Sequence, residues 1–414
     1  MGSNLPILVR PMEYEGERHR GSRPPHILWV GPVFDEPDVL RNRAVSPAAN
    51  KWQLAMIRAL VGAGENVRVL GHLPDPLWPK GRLHLSKVDA RLPDDISGEI
   101  VGYWNVPAVR KLSLRRAYLQ GLRRIVHDAG PPRAVITYNI TLHDIAVGQT
   151  ALRQWSAPWI PVIADAPGEP RAFEDLMTKV QAASGQVFLS WQTYTSSAAR
   201  RKLHLDGIVP RPRLSDAYVE PHRSPQKVIF YSGTISDREG VRLLIDAFKR
   251  LNDPSVELWL CGKIAYDGHY SELEGNPRIS YFGCVPETRL QQLAAQASLL
   301  VNPRPNSVDD NTNNFPSKLL DYLSYGKPIV STWTPGLSPV YRRFLRVLDR
   351  EDPEYLAATM AEVLGWSETT LEAWRTTVSD FVSEHKSSQQ QARRLIELVN
   401  AASQQANGPF ANES

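Results

Sequence analysis

The sequence predicts a two-domain α/β protein built on parallel sheets. Its 414 residues are too many for one hydrophobic core and suit two domains. Each half opens on a short apolar strand that runs into glycine: Ile27–Val30 before Gly31, and Lys227–Tyr231 before Ser232, Gly233 and Thr234. A segment of helical spacing and a second strand follow each turn. These are Asn50–Ala63 with Val67–Leu70, and Val241–Leu251 with Val256–Cys261. A strand, a helix and a further strand in succession call for a parallel sheet with right-handed crossovers. Loops past the carboxyl ends of such strands are where ligands bind.

Composition narrows the class. A hydrophobic fraction of 42% with 22% charged residues is that of a soluble globular protein. No apolar run approaches the roughly 20 residues of a membrane span. The first 26 residues lack the unbroken apolar core of a secretory signal, and Pro6 spoils a myristoylation pattern after Gly2. Cys261 and Cys284 sit in apolar strand-like runs, so two buried, reduced thiols are expected, and with them a cytoplasmic protein. No nucleic-acid partner is expected. Charge is uneven: residues 1–205 hold 26 basic and 18 acidic residues, the remainder 22 and 26. The basic half could face an anionic membrane, leaving the protein peripheral to its inner face, or a phosphorylated acceptor. A solvated surface without a partner explains it equally well.

In the first half, Gly31–Asn50 links the first strand to the first helix and is a site candidate, though most loop residues are structural. Pro74–Asn105 reads as irregular. Val106–Ala129 reads as a long helix with Lys111, Arg115, Arg116, Arg123 and Arg124 among apolar positions, able to lie on anionic lipid or to be a plain surface helix. Ala134–Tyr138 is a strand leading to Asn139, His143 and Asp144. Ile160–Ala164 is another, leading to Asp165 and Glu169. Carboxylates and a histidine at strand ends are placed for acid–base chemistry, although a lone histidine is more often structural. Gln186–Ser190 is a further strand, and Trp191–Leu203 mixes helix with loop. In the second half, Ile279–Phe282 and Leu299–Val301 are strands, and Thr288–Ala297, Pro353–Leu364, Ser367–His385 and Ser387–Ala402 are helices.

The stretch Asn302–Thr332 is the most informative. A polar loop enters a helix near Pro316, leaves it at Gly326 and ends in the strand Ile329–Thr332. Lys318 lies in the first helical turn, where an anion can sit, and Asp321 follows one turn later on about the same face. A cation for phosphate beside a carboxylate for sugar hydroxyls suits a nucleotide-sugar site; an ordinary loop–helix–strand unit is the competing reading. There is no zinc-ligand spacing, and the P-loop, GxSxG and GxGxxG signatures are missing.

Across Lys227–Thr332 four landmarks fall in order. They are the strand, turn and helix YSGTISDREGVRLLIDAF; the strand VELWLCGK; Arg278 and Ile279 followed by Gly283 and Val285; and Asn313 and Asp321, seven residues between them, before Gly326, Pro328, Ile329, Val330 and Thr332. In these the chain resembles the retaining GT-B glycosyltransferases of glycosyltransferase family 4, in a variant like those that build bacterial surface polysaccharides and glycolipids. The resemblance implies two Rossmann-like β/α/β domains facing each other across a cleft, with a C-terminal helix crossing back to the first. The expected divisions are an arm at 1–25, an acceptor domain at 26–207, a linker at 208–225, a donor domain at 226–385, the returning helix at 386–403 and a disordered tail at 404–414.

The resemblance also implies the chemistry. A nucleoside diphosphate sugar is the donor, a saccharide or lipid-linked molecule the acceptor, and no cofactor or metal is needed. Asp309-Asp310 is the exception to consider, as a loop pair able to hold a divalent ion. Gly233, Thr234, Gly262, Lys263, Val285, Asn313, Asn314, Lys318, Leu319 and Asp321 would hold the nucleotide sugar, with Asp321 on the ribose. Gly31, Asn50 and Asn139 would line the acceptor side. Asp165, His143, Asp144 and Asn313 are the catalytic candidates.

Two departures stand out. Asn313 takes the place of the family's first acid, and Thr234 and Glu239 the places of an Arg and a Lys that meet the diphosphate. A carboxylate there repels a phosphate by about several kcal/mol if water is excluded. Glu239 therefore points away, or Lys318, Lys263, Arg238 or Arg304 substitutes, Lys318 first because the helix start adds its N–H groups. Rival readings are a UDP-sugar epimerase and a non-catalytic GT-B scaffold subunit.

Overall fold

The computed structural model describes residues 24–34, 45–91, 96–209, 227–265, 272–307, 311 and 313–406. The expected arm, linker and tail lie mostly outside the described residues, as does Asp309-Asp310 entirely.

Two parallel-based sheets make up the frame. The first has the order β10-β9-β8-β7-β1-β2-β5-β4. Its strands are β1 (Ile27–Val30), β2 (Val67–His72), β4 (Val88–Arg91), β5 (Ser97–Val101), β7 (Ala134–Tyr138), β8 (Trp159–Ile163), β9 (Gln186–Phe188) and β10 (Lys202–His204). Only the edge strand β4 runs antiparallel. A small pair, β3 (His84–Leu85) and β6 (Tyr103–Trp104), stands apart. The second sheet, β13-β12-β11-β14-β15-β16, is parallel throughout. It comprises β11 (Lys227–Ser232), β12 (Val256–Cys261), β13 (Ile279–Tyr281), β14 (Leu299–Asn302), β15 (Ile329–Thr332) and β16 (Arg346–Leu348). Helices cover both faces of such sheets, so central strands are apolar without alternation. All four residues of β1 and of β14 are buried. Strand order reverses beside β1 and beside β11, and in open α/β sheets ligands bind past the carboxyl ends of strands at such a reversal.

Helix α1 (Pro47–Gly62) shows how sequence builds these units. The Ser46 hydroxyl accepts the Ala49 N–H, Pro47 fits the first turn, and Trp52, Met56, Ile57 and Leu60 bury one face. Helix α2 (Arg110–Ala129) starts four residues later than its pattern suggests and buries Leu114, Tyr118, Leu122 and Ile125. Helix α3 (Leu142–Trp155) and helix α4 (Pro170–Lys179) follow β7 and β8. The second domain carries α5 (Glu287–Gln296) and α6 (Lys318–Ser324) near the cleft. The final helix, α7 (Ser388–Ala406), crosses back: it packs on α1 and β10, Arg394 Nη2 donates to His204 O at 2.7 Å, and Arg133 Nη1 to Asn400 Oδ1 at 3.1 Å.

Several expectations are corrected. Pro74–Asn105 is not wholly irregular but holds β3, β4, β5 and β6, strands too short and too interrupted by proline and glycine for period-2 alternation to register. Helix α4 and strand β16 had no expected counterpart. Cys261 is buried as expected, but Cys284 is exposed.

A buried polar knot joins the domains. Asp206, 1% exposed, bonds Lys386 Nζ and accepts the Tyr341 hydroxyl at 2.7 Å. Its carbonyl accepts the Trp52 indole N–H at 3.1 Å. Burial alone would raise this carboxyl, but Lys386, His204 and the Tyr341 hydroxyl outweigh it and hold it below the ordinary value.

Candidate functional site

Two glycines frame the second domain's side of the cleft. Gly233 and Gly262 follow β11 and β12 with φ of 140° and 137°. The Gly233 N–H donates to Cys261 O at 2.9 Å, and a Cβ on Gly262 would stand 1.8 Å from Gly233 O. Both the dihedral and the contact exclude a side chain at Gly262. A Cβ on Gly233 would meet Lys318 Nζ at 3.0 Å, so the ammonium lies directly against this turn.

Lys318 is held there by Tyr231. Its Nζ donates to the Tyr231 hydroxyl at 3.0 Å and stands 4.2 Å from the ring centroid. Glu239 does not point away: Oε2 is 3.5 Å from Lys318 Nζ and Oε1 is 3.7 Å from Arg304 Nη2. Two cations thus converge on one carboxylate, leaving one net positive charge. Burial lowers the Lys318 ammonium to about 8; Glu239 opposes the shift and Arg304 adds to it. Arg304 is further braced by Asn311, whose Oδ1 accepts its Nε at 2.5 Å. The helix start offers fewer N–H groups than expected. Helix α6 has seven residues, and the N–H groups of Leu319 and Leu320 are donated to Pro316 and Ser317.

Asp321, one turn on, faces the first domain. Its Oδ1 is 2.7 Å from Lys51 Nζ, and the same ammonium reaches Glu287 Oε1 at 3.0 Å. Burial raises the Asp321 carboxyl above its ordinary value although Lys51 opposes this. On Lys51, burial lowers the ammonium but the two carboxylates outweigh it, for a net rise. Lys51 and Glu287 went unnoticed in the sequence. The one available signal was that Lys51 follows the Gly31–Asn50 loop and Glu287 closely follows Val285.

The other second-domain candidates divide. Thr234 and Lys263 are exposed on the two glycine turns, and Val285, two residues before Glu287, is half-buried. Asn313 Nδ2 donates to Pro167 O at 2.5 Å, spanning the cleft to the loop after β8. Asn314 is half-buried next to it. Leu319 is a correction: its side chain is fully buried in the core and presents nothing to a ligand.

On the first domain most candidates prove structural. Asp144 closes a capping box, accepting the Thr141 N–H at 3.0 Å and hydroxyl at 2.6 Å while Thr141 accepts its N–H. It is 2% exposed, and burial pushes its carboxyl up to about 7 although the Thr141 bonds oppose. His143 packs with its ring centroid 4.4 Å from that of Tyr118, tilted, and 5.3 Å from that of His72, edge-on. Burial, with Arg110 adding, lowers it to about 4, so it is neutral near pH 7. Its Nε2 is 3.9 Å from Asp144, too far for a hydrogen bond, so the expected His–Asp pair does not form. Asn50 is consumed by the backbone: it accepts the Phe34 N–H at 2.8 Å and donates to Phe34 O at 3.0 Å. Gly31 is crowded by a side chain: a Cβ there would stand 2.2 Å from Gln53 Oε1 and 3.1 Å from Tyr138 Cβ, so a larger residue would have to displace the Gln53 amide. Asp165 remains exposed at the end of β8. Asn139, at φ 70°, donates to it at 3.1 Å and accepts the Ala164 and Asp165 N–H groups. Glu169 caps α4 through the N–H groups of Arg171 and Ala172.

Comparison with known proteins identifies the fold. Residues 226–365 match the family model described as glycosyl transferases group 1. Similar solved structures include HepE of Anabaena in complex with UDP, at TM-score 0.65 and 14% identity, over 91% of this chain and 100% of that one. A glycosyltransferase from Rickettsia africae aligns at TM-score 0.66 and 11% identity over 91% and 98%. The catalytic domain of starch synthase IV from Arabidopsis thaliana, bound to ADP and acarbose, aligns at 0.64 and 9% over 92% and 99%. The fold is GT-B. At these identities the structural likenesses establish the GT-B fold alone, while the second domain carries the group 1 glycosyltransferase match. No curated protein sequence matches the chain.

Proposed function

We propose that this GT-B protein is a retaining glycosyltransferase that moves a sugar from a nucleoside diphosphate sugar to a saccharide or lipid-linked acceptor. The observation that carries the reading is the convergence of Lys318 and Arg304 beside the Gly233 turn, with the Asp321 carboxylate one helical turn away, all within the segment that matches the group 1 model. Departure of a nucleoside diphosphate develops negative charge on its leaving oxygen. A pre-placed positive charge at a backbone turn that admits no side chain is suited to stabilise it. The Gly233 and Gly262 turns allow a diphosphate to approach the backbone closely. Asp321 accepts ribose hydroxyls once Lys51 releases it, and the loop around Val285 flanks the base. Asn313, an amide in an acid's place, hydrogen-bonds sugar hydroxyls rather than stabilising an oxocarbenium-like centre by charge. Asp165, exposed at the opposing strand end, is the first-domain carboxylate placed to meet the transferred sugar. The reading needs no metal.

The test is thermal stabilisation by UDP-, GDP-, dTDP- and ADP-sugars, followed by product analysis. Stabilisation by one nucleotide class that is lost in Lys318→Ala and Asp321→Ala, with transfer to an acceptor, is expected. No response to any nucleotide, with both variants behaving as the parent, would make the protein a non-catalytic GT-B subunit. Release of a free epimerised sugar would make it an epimerase.

A further inference from the structure

Isolated exposed apolar side chains are normal on protein surfaces, but concentrated ones are not. Among the described residues, seven of the ten large hydrophobics with exposed side chains fall in three segments of the first domain. These segments leave the carboxyl ends of β2, β5 and β7. The principal members are Leu77 at 43% exposure, Trp78 at 47%, Leu83 at 46%, Trp104 at 53%, Leu112 at 65% and Leu142 at 55%. Backbone bonds hold the segments together: Trp78 N donates to Asn105 O at 3.2 Å, and Asn105 N to Leu83 O at 2.8 Å. The Trp104 N–H donates to Ser113 Oγ on α2 at 2.9 Å, and α2 packs on α3, which begins at Leu142. The Asn105 side chain adds bonds to Pro76 O and Arg82 O, so the platform is braced from beneath. Exposed cations adjoin it in the same segments: Lys80, Arg82, Lys111, Arg115 and Arg116.

We propose that this platform docks the first domain on an anionic lipid bilayer. Tryptophan prefers the headgroup boundary, leucine the acyl region below it, and lysine and arginine the anionic phosphates above. A surface made only for a second protein copy would not need a cationic fringe, and one made only for a soluble anion would not need six exposed apolar side chains. The net positive first half matches the same partner. No helix of the described residues is long and apolar enough to cross a membrane, so the contact is superficial. The docking surface stands independently of sugar transfer. If the proposed function holds, it sets the mouth of the cleft at the membrane, because the three segments leave the cleft-facing strand ends.

The experiment is co-flotation of the full chain with vesicles of phosphatidylcholine alone or mixed with phosphatidylglycerol, with Leu112→Glu, Trp104→Ser and Lys111→Glu/Arg115→Glu variants. Circular dichroism and melting confirm that these exposed substitutions leave the fold intact. Binding to the mixed vesicles only is expected, weakened by added salt. Each apolar variant should lower partitioning about tenfold and the double charge reversal at least as much. Failure to float with anionic vesicles would overturn the proposal, as would variants that bind like the parent. A concentration-dependent dimer abolished by Trp104→Ser would assign the face to a second copy instead. Nucleotide stabilisation, unaffected by these variants, reports separately on the proposed function.

Discussion

Lys51 of the first domain and Asp321 of the second meet at 2.7 Å across the cleft, 270 residues apart in sequence. Under the proposed function the ammonium occupies the carboxylate that receives the ribose. Both side chains keep solvent contact, 41% and 27% of their exposure, so the pair is worth about 1 kcal/mol or less. A nucleotide that binds with micromolar affinity, about −8 kcal/mol, can displace it readily. Lys51→Met is therefore expected to change nucleotide affinity by about fivefold or less, or to tighten it. Asp321→Asn should weaken it by about tenfold through loss of the charge-assisted bonds. Isothermal titration of both variants checks this; equal losses in the two would show that Lys51 itself holds the ligand.

Under the proposed function the depressed Lys318 ammonium makes diphosphate binding sensitive to pH. The protonated form binds phosphate, so affinity should fall as pH rises through about 8, and Lys318→Met should flatten the profile. Glu239→Gln removes the group that sustains the ammonium and should move the fall to lower pH. Folding stability responds to this group in the opposite direction. Between about 8 and the ordinary lysine value the unfolded chain holds a proton that the folded chain has lost, so this group makes stability rise with pH. Melting curves across that window, parent against Lys318→Met, measure it; an unchanged slope would remove Lys318 as its source.

The Asp206–Lys386 pair is a different kind of contact. Both side chains are nearly inaccessible, at 0% and 7%. Asp206→Asn leaves the ammonium buried without its counter-charge and should cost about 3–5 kcal/mol. Asp206→Asn with Lys386→Met should cost less than the sum of the single changes. Because the Asp206 carboxyl is held below its ordinary value, its contribution is present above that value and lost as pH falls through the lower one. Denaturant unfolding of the three variants tests the coupling; strict additivity would refute it.

Much of this was legible from residue order. Apolar runs of strand length, helical spacing between them, and glycine at strand ends specify the β/α units because these are local patterns. The boundaries of β1, β7, β12, β15 and the helix Pro353–Leu364 coincide with their expected ranges. Proximity of Lys318 and Asp321 followed from helical spacing. The His143–Asp144 reading failed for an equally local reason: proximity in sequence says nothing of burial, and the carboxylate was needed to close a helix cap.

The sequence by itself determined the β/α units of the two parallel sheets, the glycines at the ends of their strands, and the cation and carboxylate one helical turn apart. All are consequences of spacing and backbone freedom over a few residues. Only the tertiary structure decided that Glu239 joins Lys318 and Arg304 instead of turning away, that Lys51 covers Asp321, that Asp206 fastens the returning chain, and that one rim of the first domain exposes tryptophan and leucine among lysine and arginine. Those facts depend on how surfaces from distant parts of the chain are brought together. Burial and electrostatic pairing are properties of that assembled arrangement, not of any segment within it.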